Sequence, residues 1–161
     1  MSAIGSYAVL RRAAFPDCVE SAKNIRKETR GRWVFKSPVV VGMEEFKAAW
    51  AEALVEEASF GYSGYVIGNY LDAQEHVNSV PNRYERTETA LALTKAFTAA
   101  FPFEENETFP QLPQEKLLAW CREEYGKDAD GMPEAIAAAH AFYQEGLAKI
   151  TPETVVVFLI V

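Results

Sequence analysis

Asp72 and His76 stand four residues apart, with Glu75 next to the histidine. On a helix that spacing places a carboxylate and an imidazole on one face. Such a pair has metal-compatible spacing. A metal site needs a third ligand, and the other histidine, His140, lies in a separate stretch of the chain. An enzyme built on Asp72 and His76 therefore has to recruit a distant group, His140 or Glu56. The competing expectation is a solvated helix end. Glu44–Glu45, Glu56–Glu57 and Glu104–Glu105 are neighbours in sequence. On a helix, neighbours point about 100° apart and do not converge on one ion. The expectation is no metal site, no cofactor and no assigned catalytic residue.

Cys18 and Cys121 are the only thiols. A Cys–His nucleophile needs hydrogen-bond reach and a lowered thiol pKa, and the sequence displays neither. Cys121 falls on an apolar helical stripe and reads as a small hydrophobe. His140 falls on another such stripe and reads as a buried or half-buried histidine bonded to a carbonyl. Gly61, Gly64 and Gly68 lack the Lys-Ser/Thr pair of a phosphate loop and the spacing of a dinucleotide fingerprint.

Residues 59–70 interleave those glycines with Phe60, Tyr62, Tyr65 and Tyr70. Glycine allows close backbone approach. Tyrosine offers a large amphipathic contact with few rotamers to lose. Tyr62, Tyr65 and Tyr70, with Asp72 and His76, are the candidate binding residues. Strand, loop and helix are all open for this segment. The acidic run Glu104, Glu105 and Glu107, between Phe103 and Phe109, reads as a solvated loop or as a dock for a basic partner.

The elements around these residues are clearer. Ser6–Arg12 reads as a strand. Pro16 suits the first turn of a helix, and that helix runs to Gly31. Residues 32–41 are β-rich, with Pro38 marking an edge or a break. Met43, Phe46, Trp50, Ala53 and Leu54 predict a helix over 43–58. Asn82 and Glu85 are spaced as a capping box, predicting a helix over 82–101 with Leu93, Phe97 and Phe101 inward. Helices follow over 113–125 and 133–149. Val155–Val161 is apolar without a break, the pattern of a strand buried on both faces. The fold expected is one α+β domain over residues 1–161, a small sheet holding both terminal strands under four or five helices.

The chain has 161 residues and a formal net charge of −7. Its basic residues cluster near 23–36, diluted by Glu20 and Glu28. The acidic balance disfavours nucleic acid and membrane surfaces and favours a basic protein partner. Two cysteines, with no charged leader and no long apolar run, suit a reducing cytoplasm.

Ile4-Gly5-Ser6-Tyr7 resembles the start of the bacterial DUF1877 family, which often opens Met-x-x-Ile-Gly-x-Tyr. Phe142-Tyr143-Gln144-Glu145, followed by the apolar strand Val155–Val161, is similar to that family's ending. The resemblance covers about the first twelve and the last thirty residues. The middle departs: the family's Trp-bearing helix runs into Leu-Thr-Gly, whereas here the Trp50 helix runs into Ser59-Phe60-Gly61-Tyr62. The resemblance implies a compact α+β domain of unknown biochemical function, with no catalytic residues to carry over. The functional expectation is a non-enzymatic interaction protein of the bacterial cytoplasm, immunity-like in masking a basic partner. The alternative is a small enzyme around Asp72 and His76.

Overall fold

The alternation of Tyr7, Ala8, Val9 and Leu10 sends successive side chains to opposite faces of a strand, and all four are buried. The computed structural model, which describes residues 3–31, 36–81 and 87–161, shows why. This strand, β1 (Ile4–Arg11), lies inside an antiparallel sheet with β4 (Leu54–Ser63), β5 (Ala99–Pro102) and β6 (Thr154–Ile160), in the order β4-β1-β6-β5. The register of β1 and β6 runs from Gly5 opposite Ile160 to Arg11 opposite Thr154. The C-terminal strand is therefore central and neighbours the N-terminal one, as its apolar run requires.

Each face of the sheet has its own core. Tyr7, Val9, Val156, Phe158 and Ile160 meet α3 (Tyr65–Asn78), α5 (Gln114–Tyr125) and α6 (Met132–Leu147). Ala8, Leu10, Val157 and Leu159 meet α1 (Phe15–Lys23), α2 (Met43–Ala53) and α4 (Glu88–Leu93). The first core is aromatic: Phe103 stacks on Tyr143 at 4.4 Å between ring centroids, and Phe101 packs on Phe158 at 5.1 Å. The second mixes small side chains such as Ala22, Ala53 and Ala92 with a cluster of Phe46, Trp50 and Phe97, whose ring centroids lie 5.1 to 5.7 Å apart.

Three predicted elements are revised. The first helix stops at Lys23, and Arg26–Arg30 forms a strand, β2, paired antiparallel with β3 (Ser37–Val41) in a separate two-stranded ribbon. Gly42, at φ 89°, follows β3, and a Cβ there would lie 2.8 Å from the Asn24 carbonyl oxygen. That close approach fixes where the chain leaves helix and ribbon. Pro38 pairs opposite Thr29 in this ribbon, where both strands are edges and its missing N–H is tolerated. The rest of the predicted strand, 32–35, lies outside the described residues.

The helix expected over 43–58 ends at Ala53, and β4 begins at Leu54. Pairing with the free side of β1 outweighs the helical preference of residues 54–58, because buried backbone groups must find partners. Phe46 and Ala53 are buried, while Met43, Trp50 and Leu54 pack half-buried against the same core. The helix expected over 82–101 is, in its described part, the short α4 followed by β5. Thr87 caps α4, its Oγ1 accepting from the Ala90 N–H at 3.1 Å. Leu93 is a helix residue, whereas Phe101 belongs to a strand. The capping box of Asn82 and Glu85 lies outside the described residues. No helix among the described residues is long and apolar enough to cross a membrane.

Candidate functional site

Helix α3 carries most of the candidate residues, and its phase separates them. Tyr65, Asp72 and His76 are spaced by seven and four, which keeps them on one stripe. Tyr70 points the other way and is fully buried. Gln74 Nε2 donates to the Tyr70 hydroxyl at 3.3 Å, leaving that hydroxyl's own proton for His140 Nδ1 at 2.9 Å. Gln74 Nε2 also donates to the Pro110 carbonyl at 2.7 Å, and Gln144 Nε2 donates to the Phe109 carbonyl at 3.0 Å. Tyr70, Gln74 and His140 thus form a polar seam that holds residues 103–113 against the aromatic core. Within that strap Phe103, Phe109 and Leu112 are buried, while Glu104 and Glu105 are exposed and Glu105 pairs with Arg12 at 2.8 Å. Burial lowers the pKa of His140, which suits its role as an acceptor. Its partner is a tyrosine hydroxyl rather than a carbonyl.

Asp72 and His76 meet through the Asp72 backbone carbonyl. His76 Nδ1 donates to the backbone carbonyl of Asp72 at 3.0 Å, and its ring leans on Trp120 with centroids 6.1 Å apart. Glu56 is held by Lys149 at 3.0 Å. The two distant groups of the enzyme reading are thus engaged elsewhere, His140 with Tyr70 and Glu56 with Lys149. Among the described residues no three His, Cys, Asp or Glu side chains are grouped to hold a metal ion. Burial pushes the Cys18 thiol up to about 11 and raises that of Cys121 as well, the opposite of nucleophile activation. Cys18 Sγ donates to the Ala49 carbonyl at 3.3 Å. Two grooves flank the start of α6, of about 520 and 380 Å³. Gln111, Gln114 and Glu134 line the first, and Arg122, Lys127 and Asp130 the second.

The exposed apolar residues gather elsewhere. Ile4, Tyr62, Tyr65 and Val161 are 56, 42, 67 and 61% exposed. Their backbones lie at one end of the sheet: Ile4 exchanges backbone hydrogen bonds with Val161 at 2.9 and 3.0 Å, and Gly64 N–H donates to the Ala3 carbonyl at 2.8 Å. A Cβ on Gly64 would lie 3.0 Å from the Gly5 nitrogen, so two glycines let the turn into α3 cross β1. Beneath the patch Phe60 packs on both Tyr62 and Phe142, at 5.6 and 5.1 Å. The tyrosines were visible in the sequence; Ile4 and Val161 were not, because only strand pairing brings them together.

No protein-family model, no curated protein and no solved structure matches the chain.

Proposed function

We propose that this protein acts by binding a partner protein that presents a basic surface, in the bacterial cytoplasm, and not by catalysis. The observation that carries this reading is the gathering of four exposed apolar residues, Ile4, Tyr62, Tyr65 and Val161, at one end of the sheet of a strongly acidic chain. A contiguous apolar patch with a charged surround is the usual anatomy of a recognition surface. Tyrosines that keep a wet hydroxyl and a dry ring are favoured anchors there. Masking of a basic enzyme, as an immunity protein does, is the form of binding that best suits the charge. Nucleic acid and membrane surfaces are disfavoured by the same charge.

The test is affinity capture from the native organism with the wild type and with Tyr62→Ala/Tyr65→Ala, followed by calorimetry on the captured partner. The expected partner is basic, and the double variant binds it at least about tenfold more weakly, the scale of losing a hot-spot aromatic. A partner that binds both forms equally, or one that is acidic, overturns the reading.

A further inference from the structure

The ribbon of β2 and β3 is built unlike the rest of the molecule. None of its strand residues is buried. An isolated two-stranded ribbon is marginal in water without a third strand or a covering layer. Its charge is also inverted. Its strands, Arg26–Arg30 and Ser37–Val41, hold three of the 16 basic side chains and one of the 23 acidic ones, a formal +2, which in a chain of net −7 leaves −9 on the remainder. Cross-strand register puts Lys27 beside Val40 and Glu28 beside Val39. Both valines are exposed. Arg26 and Arg30 flank Glu28 at 2.8 and 3.3 Å.

Strand β4 presents the complementary features. One of its edges pairs with β1, and among the described residues no strand takes the other. Near its start Val55 is 53% exposed, with Glu56 and Glu57 following and Glu52 just before, all exposed. An open edge offers unpaired N–H and C=O groups to another strand.

We propose that the ribbon of one copy docks on the outer edge of β4 in a second copy, setting Lys27 and Arg30 against Glu56 and Glu57 around a centre of Val39, Val40 and Val55. Charge selects this pairing from the alternatives. A β4–β4 contact would oppose glutamates, and a ribbon–ribbon contact would oppose lysine and arginines; like charges opposite one another destabilise a ladder. Only ribbon on β4 joins unlike charges. Nucleic acid is the weaker match, since the acidic remainder repels a polyanion and the valines gain nothing from phosphate. Two such contacts related by a two-fold axis are self-complementary and close the assembly at a dimer. This docking uses residues 26–30, 37–41 and 52–57, apart from the exposed tyrosines, and stands or falls independently of the partner proposed above.

Sedimentation of the full chain tests it. The expected result is a reversible dimer at low salt whose dissociation constant rises about tenfold or more when salt goes from about 0.05 to 0.5 M, as the pairing charges are screened. Lys27→Glu/Arg30→Glu and Glu56→Lys/Glu57→Lys are each monomeric alone and re-form a dimer when mixed, because each supplies the contact the other lacks. Restoration on mixing excludes misfolding as the cause of dissociation. If the edge double variant fails to fold, Glu57→Lys alone serves in its place. A wild type monomeric at all concentrations and salts, a dimer unaffected by either reversal, folded variants that stay apart on mixing, or ribbon-dependent binding of a short DNA duplex by monomers overturns the proposal.

Discussion

The two edges of the four-stranded sheet end it by different means. At one edge β5 is four residues long, ends in Pro102 and is backed by buried aromatics, Phe101 within it and Phe103 just beyond. A short edge strand closed by proline offers little template to another chain. At the other edge β4 is ten residues long and carries few buried side chains. It is broken by irregularities: Val55 is an extra residue between the pairs of Leu54 and Glu56, and Phe60, Gly61 and Tyr62 together oppose Gly5. Bulges and edge charges limit indiscriminate pairing while leaving defined strand segments accessible. One edge belongs to the core, and the other is available for recognition.

Breaking this contrast starts on the β5 side. Phe101→Ala is expected to cost about 3–4 kcal/mol in urea unfolding, the range for losing a large buried aromatic. A loss below about 1 kcal/mol would mean that β5 is no wall of the core. On the β4 side the expected structural sensitivity is confined to its end. Gly64→Ala places a methyl against the backbone of Gly5 and should cost about 1–3 kcal/mol, as overpacking does. Unchanged stability would show that this crossing can open.

The seam of Tyr70, Gln74 and His140 between α3 and α6 is pH-sensitive. Burial lowers the pKa of His140 in the folded protein, so the unfolded chain takes up that proton more readily. Stability from this group is full above the ordinary histidine range near ~6.5 and is lost as pH falls through that range toward the folded pKa. Wild type should therefore lose urea resistance between about pH 7 and 5 more steeply than His140→Gln. Parallel profiles would detach His140 from the seam. The smallest effect is expected at Tyr62→Ala, within about 0.5 kcal/mol of wild type. A larger loss would place Tyr62 among the structural residues and remove it from the recognition surface.

The same contrast governs how far the sequence could be read. β6 was legible because Val155–Val161 is apolar at every position, which only a strand with two covered faces explains. β4 was not, because Leu54 extends the stripe of Met43, Phe46, Trp50 and Ala53, and glutamates at 56 and 57 suit a helix surface equally well. Local preference there yields to the unpaired side of β1, which is invisible locally. Phe97 and Phe101 likewise mimic a helical stripe by their spacing of four. In the candidate site, composition singled out three tyrosines alike. Assigning α3 from Tyr65 onward would have separated Tyr65, Asp72 and His76 from Tyr70 by phase alone. The basic cluster near 23–36 was visible, but the pairing of Arg26–Arg30 with Ser37–Val41 in a ribbon whose strands have no buried residue was not.

The pairing of Gly5 with Ile160 and of Arg11 with Thr154 has a consequence during synthesis. β6 is the wall shared by both cores, and it leaves the ribosome after every other strand and helix described. Until it emerges, β1 lacks one neighbour and β5 has nothing to pair with, since its ladder is to β6. Hairpins and helices can form early, but closure waits for contacts spanning nearly the whole chain, which are slow to find. The nascent chain therefore exposes an unpaired β1 edge together with the aromatic residues of one core, the kind of surface that chaperones hold.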